Sequence, residues 1–343
     1  MKLQKLKTPA KQPRRKLGRS IIVTGGCGYI GSHIARAFKY NGDQVNIIDR
    51  IFREHTVKDI DGYLIDDFSS DAALAYIINT SPDVIVHCAG TSLVGPSMSD
   101  PGEYYENNIS KTIKMLTVIK DMPKKPVILF SSSASVYGIP DYWPITENND
   151  IVPISPYGRT KAMTETILRD YYTAYNLSSM CFRYFNAAGA MPDGADLGQE
   201  PGATHIVAQV LEASLAKRAF TINGDNFNTE DGTCVRDYIH VWDIALAHIA
   251  GVNFLFNEYP YPQCGAYILN LGTKTGISNK QIVDYVADKY GLPFVKYGPK
   301  RSGDPDLLIA DYTLAQDLLH WQPTHSSMES IIDSAYKWYC KKW

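Results

Sequence analysis

Apolar β-branched runs and helical apolar spacings alternate along the first half of the chain. Ile21-Ile22-Val23 stops at a cluster of glycines between Gly25 and Gly31, within which a helical pattern of Ile30, Ile34 and Phe38 begins. Further strand patterns follow at Gln44-Val45-Asn46-Ile47-Ile48, Tyr63-Leu64-Ile65, residues 83–88 and residues 126–130, the last running into Ser131-Ser132-Ser133. Between them, helical spacing is read over residues 72–78 and 103–121, with Ile109, Ile113, Leu116 and Ile119 on one face of the latter. A further amphipathic helix opens at Ser155-Pro156. Near-continuous apolar strands alternating with helices predict an α/β, doubly wound parallel sheet covered on both faces. From about Pro192 the apolar segments shorten to Ile206–Leu215, 238–241 and 267–271, while Pro, Gly, Asp and Asn become dense. Residues 282–290 and 328–339 read as helices. The expected layout is a basic, solvated extension over residues 1–19, a nucleotide-binding domain over 20–188, and a smaller α/β substrate-binding domain over 189–343. Some segments of the last are expected to return to the first.

Composition narrows the partners. The chain has 343 residues, 45% hydrophobic, enough for a large core in one or two domains. A net charge of −2 argues against nucleic acid as the main partner. Eight Lys and Arg residues do fall within the first 19, but that segment lacks the apolar stretch of a signal or span. No run approaches the roughly 18 apolar residues that cross a bilayer, so no membrane partner is expected. Six cysteines show neither a CxxC pair nor metal-ligand spacing. They read as buried thiols in a reducing, cytoplasmic setting.

The glycine cluster carries the first chemistry. Gly26-x-Gly28-x-x-Gly31 sits between a strand and a helix, where backbone can approach a pyrophosphate and the helix N-terminus faces its charge. Asp49 ends the next strand eighteen residues after Gly31, the distance at which an acid takes the ribose hydroxyls of a dinucleotide. Gly25, Asp49, Asp67, Gly90 and Ser133 all stand at strand ends and so point to one crevice. Tyr157 and Lys161, four apart, share a helix face. A lysine ammonium beside a phenol, with an oxidised nicotinamide, is expected to lower the phenol's pKa. With Ser133 they make a proton-transfer device. Arg236 and Arg301 suit phosphate oxygens, and each equally suits an ion pair with Asp237 or Asp304. His87, His205 and His240 show no metal-ligand arrangement.

These residues resemble the extended short-chain dehydrogenase/reductases, and within them the UDP-glucose 4-epimerases. The matching motifs are residues 24–33, Tyr104-Tyr105-Glu106-Asn107-Asn108, residues 131–138, Ser155-Pro156-Tyr157-Gly158, Arg183-Tyr184-Phe185-Asn186, and Thr229-Glu230-Asp231-Gly232 followed by residues 236–240. The resemblance runs from Ser20 to the C-terminal region. It implies a Rossmann-like fold, a tightly held NAD, a UDP-sugar substrate and a homodimer paired through the helices at 103–121 and 157–176. It also implies epimerisation through a transient 4-keto sugar, with Tyr157, Ser133 and Lys161 catalytic. NAD would be held by Gly25, Gly28, Tyr29, Ile30, Gly31, Asp49, Asp67, Phe68, Cys88, Ala89, Gly90, Asn107, Tyr157, Lys161 and Tyr184. The UDP-sugar would be held by Ser133, Asn186, His205, Ile206, Arg236, Arg301, Asp304 and Leu308. Related 4,6-dehydratases carry an acid after the serine strand end; here Ser133-Ala134-Ser135-Val136 has none, which favours epimerisation over elimination. Three positions depart from the pattern: Arg50 follows Asp49 where an asparagine is common, Ser92 replaces a lysine or tyrosine, and Leu308 stands at the position that gates room for an N-acetyl group.

Overall fold

A computed structural model describes residues 18–192, 196–256, 264–301 and 304–343. The basic extension therefore lies outside the described residues up to residue 17. Arg19 belongs to the fold: it is buried and its guanidinium meets the Asp43 carboxylate at 3.1 Å.

Strands β1 (Ser20–Thr24), β2 (Gln44–Asp49), β3 (Gly62–Ile65), β4 (Val84–His87), β5 (Val127–Ser133) and β6 (Ser179–Tyr184) all run parallel in one large sheet. Beyond them lie β7 (Asn186–Ala188), β8 (Phe220–Asn223), β9 (Val235–His240) and β10 (Ala266–Leu271). Strand β10 rejoins the large sheet, giving seven strands in the order β10-β6-β5-β4-β1-β2-β3. The order reverses between β1 and β4, the point at which such sheets open a ligand crevice at the strand carboxyl ends. Ile21, Ile22 and Val23 are fully buried, as expected of a central strand covered on both faces.

Helices α1 (Tyr29–Tyr40), α2 (Glu54–Val57), α3 (Asp71–Thr80), α4 (Val94–Ser99), α5 (Pro101–Tyr105), α6 (Lys111–Ile119) and α7 (Pro156–Tyr175) connect the strands of the large sheet. The stretch expected as one helix over 103–121 is broken: residues Glu106–Ser110 form a π-turn between α5 and α6. Its cause lies in Asn107 and Asn108, which face inward. Asn108 accepts from the Thr91 N–H at 2.8 Å and donates to the Thr91 carbonyl and to Thr160 Oγ1, each at 3.0 Å. Helix α7 starts as its sequence predicts, with Pro156 in the first turn and Ser155 Oγ accepting from the Gly158 N–H at 3.1 Å.

In the C-terminal half, α8 (Ile206–Leu215), α9 (Val241–Leu255), α10 (Asn279–Tyr290), α11 (Thr313–Leu319) and α12 (Met328–Lys342) accompany β11 (Gly276–Ser278), β12 (Val295–Gly298) and β13 (Leu307–Leu308). A second sheet centres on β9, which pairs with β7, β11 and β13; β8 pairs with β12. Helices α8, α10 and α12 bury a separate apolar core around Val210, Val283 and Ile332. Helix α9, by contrast, packs in the same core as α1 on the large sheet. All six cysteines are free: Cys27, Cys181 and Cys234 are buried, Cys88 is half-buried, and Cys264 and Cys340 are exposed rather than buried as the sequence suggested. No helix among the described residues is long and apolar enough to cross a membrane.

Candidate active site

The glycine turn lies where β1 meets α1. Gly25 takes φ +71°, and a Cβ there would lie 2.7 Å from the Ala89 nitrogen at the end of β4; a Cβ on Gly31 would lie 2.2 Å from the Gly25 carbonyl oxygen. Only bare backbone fits between β1, β4 and the first turn of α1. Asp49, at the end of β2, fixes this turn by accepting from the Cys27 N–H at 2.9 Å and the Ile51 N–H at 3.0 Å. Gly28 is the N-cap position of α1. Ile30 packs half-buried against the core, and Tyr29 reaches across to donate to the Gly189 carbonyl at 2.7 Å. This cradle of small residues at a helix N-terminus, backed by an acid at the neighbouring strand end, fits a dinucleotide.

The remaining residues expected near the cofactor rim the same crevice. Asp67, just beyond β3, holds the Lys111 ammonium at 2.7 Å and accepts from the Ser69 hydroxyl and N–H, which keep its carboxyl below the usual range. Phe68 is buried edge-on against His87. Cys88, Ala89 and Gly90 follow β4, and Asn107 in the π-turn donates to Thr91 Oγ1 at 3.0 Å. Tyr184 ends β6, but its hydroxyl faces inward, 3.0 Å from Ser131 Oγ and 2.9 Å from His248 Nε2. That leaves its backbone, rather than its phenol, for a ligand.

Ser133 ends β5, and α7 brings Tyr157 onto it. The approach needs Gly158: a Cβ there would lie 2.5 Å from the Ser135 carbonyl oxygen. The Ser133 side chain stands near enough to the Tyr157 phenol to oppose the rise of its pKa, while its hydroxyl donates to Ser135 Oγ at 3.1 Å. Lys161 is buried, donates to the Ser131 carbonyl at 2.6 Å, and sits over the rings of Phe130 and Tyr157 at 4.7 and 5.7 Å from their centroids. In the protein alone burial raises the Tyr157 pKa, with Ser133 opposing it, while burial lowers that of Lys161 to about 8. Lys161 directs its ammonium at a backbone carbonyl.

Of the residues expected to hold a substrate, Asn186, Arg236 and Leu308 stand on the second sheet, Ser133 ends β5, His205 and Ile206 open α8, and Arg301 and Asp304 follow β12. Arg236 on β9 donates from Nη1 to the Val235 and Pro305 carbonyls at 2.9 Å and pairs with Asp304 at 3.6 Å. Asp237 does not pair with it: its carboxylate accepts from the Thr273 hydroxyl and the Thr273 and Ala310 N–H groups, and burial raises its pKa to about 6. Arg301 faces the Asn223 side-chain amide; with that amide turned so its oxygen points at the guanidinium, Nη2 and Nε donate to it at 2.8 and 3.2 Å. Ser302 and Gly303 lie outside the described residues. Ile206, Arg301 and Asp304 line one recess together with Gln209, Asn223 and Asn279, which sequence reasoning missed because lone amides carry no motif. His205 is the exposed N-cap residue of α8. Asn186 on β7 faces Tyr238 of β9. Leu308 on β13 registers with Arg236 and packs against the apolar cluster of Ala134 and Phe185. Among the described residues no group of His, Cys, Asp and Glu is arranged to hold a metal ion.

A profile of the NAD dependent epimerase/dehydratase family matches residues 21–257, most of the chain, and the chain belongs to that family. Among its relatives is a UDP-glucose 4-epimerase of Halalkalibacterium halodurans, 38% identical over 325 residues, covering 93% of this chain and 95% of the relative. Among solved structures, UDP-glucose 4-epimerase from Brucella ovis in complex with NAD is 35% identical with a TM-score of 0.86, covering 93% of this chain and 98% of that one. The enzyme from Bifidobacterium longum in complex with NAD+ and UDP is 31% identical with a TM-score of 0.84, covering 94% and 98%.

Proposed function

We propose that this protein is an NAD-dependent UDP-sugar 4-epimerase that interconverts UDP-galactose and UDP-glucose. The observation that carries this reading is Tyr157, brought beside Ser133 at the end of β5 with the Lys161 ammonium 5.7 Å from its ring centroid, in a chain whose Arg301 and Asp304 line a recess. Gly25, Gly28, Gly31, Asp49 and Asn107 would hold NAD, which when bound supplies a reversible acceptor for the hydrogen on the sugar's C4. Tyr157 takes the proton of the 4-hydroxyl and returns it, while Ser133 bonds the same sugar oxygen in both directions. The Lys161 ammonium stabilises the phenolate electrostatically. Arg236 and Arg301 grip the diphosphate through charge-assisted bonds, so the sugar can turn while the nucleotide stays seated. The residues after Ser133, Ala134-Ser135-Val136, include no acid to drive elimination, which matches a reaction that only removes and restores one hydrogen.

The test is to purify the protein and supply UDP-galactose without added cofactor. Conversion to UDP-glucose by protein carrying extractable NAD is expected. Protein that holds NAD yet leaves UDP-galactose unchanged would sink the reading. Leu308, partly buried against Ala134 and Phe185, leaves more room than an aromatic side chain there, so UDP-GalNAc belongs in the same assay as the competing substrate.

The reading includes a homodimer in the cytoplasm. Support for pairing comes from Ile113 on α6 and Met163 on α7, both exposed, with Leu93, Val94 and Met98 also exposed in and beside α4. Light scattering should give the mass of two chains, and Ile113→Lys with Met163→Lys should halve it.

A further inference from the structure

One buried polar cluster is not used by the chemistry above. Glu165 and Arg183 form a bidentate pair, Nη2 to Oε2 at 2.7 Å and Nε to Oε1 at 3.0 Å, with both side chains 3% exposed. Ser132 donates to Glu165 Oε1 at 2.5 Å. Arg183 spends its remaining arm on the Tyr137 hydroxyl at 2.8 Å, and Tyr137 donates to Asn270 Oδ1 on β10 at 2.6 Å.

The placement of these residues matters more than their strength. Ser132 and Arg183 are register partners on β5 and β6, and each immediately precedes a site residue, Ser133 and Tyr184. Glu165 stands four residues after Lys161 and eight after Tyr157, on the same face of α7. Tyr137 closes the short turn that Ser133 opens. The cluster thus ties together every element that carries part of the proton-transfer device.

We propose that Glu165 is a positioning residue: clamped between Ser132 and Arg183, its carboxylate sets the height of α7 on β5 and β6 and so holds the Tyr157 phenol on Ser133. The inference rests on the epimerase reading, in which Tyr157 and Ser133 meet the sugar oxygen. A helix sliding by a fraction of a turn separates phenol from hydroxyl without touching the arginine recess, which stands on other elements. A buried pair kept only for stability predicts a different outcome, since an apolar pair of similar volume substitutes for it well.

The test compares the parent with Glu165→Gln and with Glu165→Met/Arg183→Met, the latter removing both charges together. Each NAD-loaded protein is assayed for UDP-galactose conversion, and rates are expressed per molecule of bound NAD. Both variants should lose about 10- to 100-fold in kcat, the scale of a misplacement near 1 Å, with KM within about threefold of the parent. A double variant that holds NAD with kcat unchanged overturns the inference, because a stability role lowers the yield of folded protein but not its turnover. Should both variants fail to fold, Ser132→Ala leaves the ion pair in place and decides the matter: kcat must fall by about threefold or more with KM held, and an unchanged kcat overturns the clamp. A parent that fails to convert UDP-galactose is a separate result and refutes the epimerase reading itself.

Discussion

The Tyr157 phenol and the Lys161 amine are driven in opposite directions by the same burial. Each is pushed toward its neutral form, the phenol upward and the amine down to about 8. The resting pair is therefore not a phenolate held by an ammonium. In the epimerase reading, the positive charge of an oxidised nicotinamide would favour the phenolate and so couple proton removal to an occupied cofactor site. Tyr157→Phe removes the phenol that takes this proton in the epimerase reading. Its turnover of UDP-galactose should fall by at least about 100-fold, the scale of a lost general base, while NAD still co-purifies. Retention of turnover near the parent value would exclude Tyr157 from the chemistry. At this scale the sequence was informative where spacing is local: Tyr157 and Lys161 are one helical turn apart. It was silent on Glu165 and Arg183, eighteen residues apart, because their pairing depends on how α7 lies against β6.

Two elements are shaped by close approach rather than by propensity. The β1–α1 turn works because Gly31 presses its Cα onto the Gly25 carbonyl, leaving no room for a methyl group. Gly31→Ala forces α1 away from β1 at an overpacking cost of about 1–3 kcal/mol, equivalent to roughly 5- to 150-fold weaker cofactor binding. The expected outcome is protein that folds but yields little NAD on extraction; NAD content equal to the parent's would show that the turn does not cradle the dinucleotide. The π-turn at Glu106–Ser110 is the second case. Its helical pattern was legible, but its break was not, since periodicity reports which face is apolar and not which side chains bond to a distant Thr91 or Thr160.

For the whole molecule, pH acts through buried histidines. His33, His87, His240 and His248 have pKa values lowered by burial to about 4, 3, 3 and 4. Unfolded, each titrates near 6.5, so the unfolded chain binds more protons below that value and stability falls as pH drops from 6.5 toward 4. Each group contributes up to about 1.4 kcal/mol per pH unit in that window. Asp237, raised to about 6, has the opposite sign and offsets one of the four. Thermal unfolding should therefore shift to lower temperature between pH 6.5 and 5; a melting temperature that stays level would contradict the burial of these rings.

The chain's local order determined the parallel sheet, the glycine turn with Asp49, and the Tyr157–Lys161 helix, because strand and helix periods and short motifs are written in neighbouring residues. Tertiary structure alone decided four things. It returned β10 and α9 to the first sheet. It gave Arg301 to Asn223 and Arg236 to Asp304. It broke the 103–121 helix at two inward asparagines. It set Glu165 on α7 against Arg183 on β6. Each depends on which distant surfaces meet, and the free energy of such contacts comes from burial and hydrogen bonding across the fold, which no local pattern encodes.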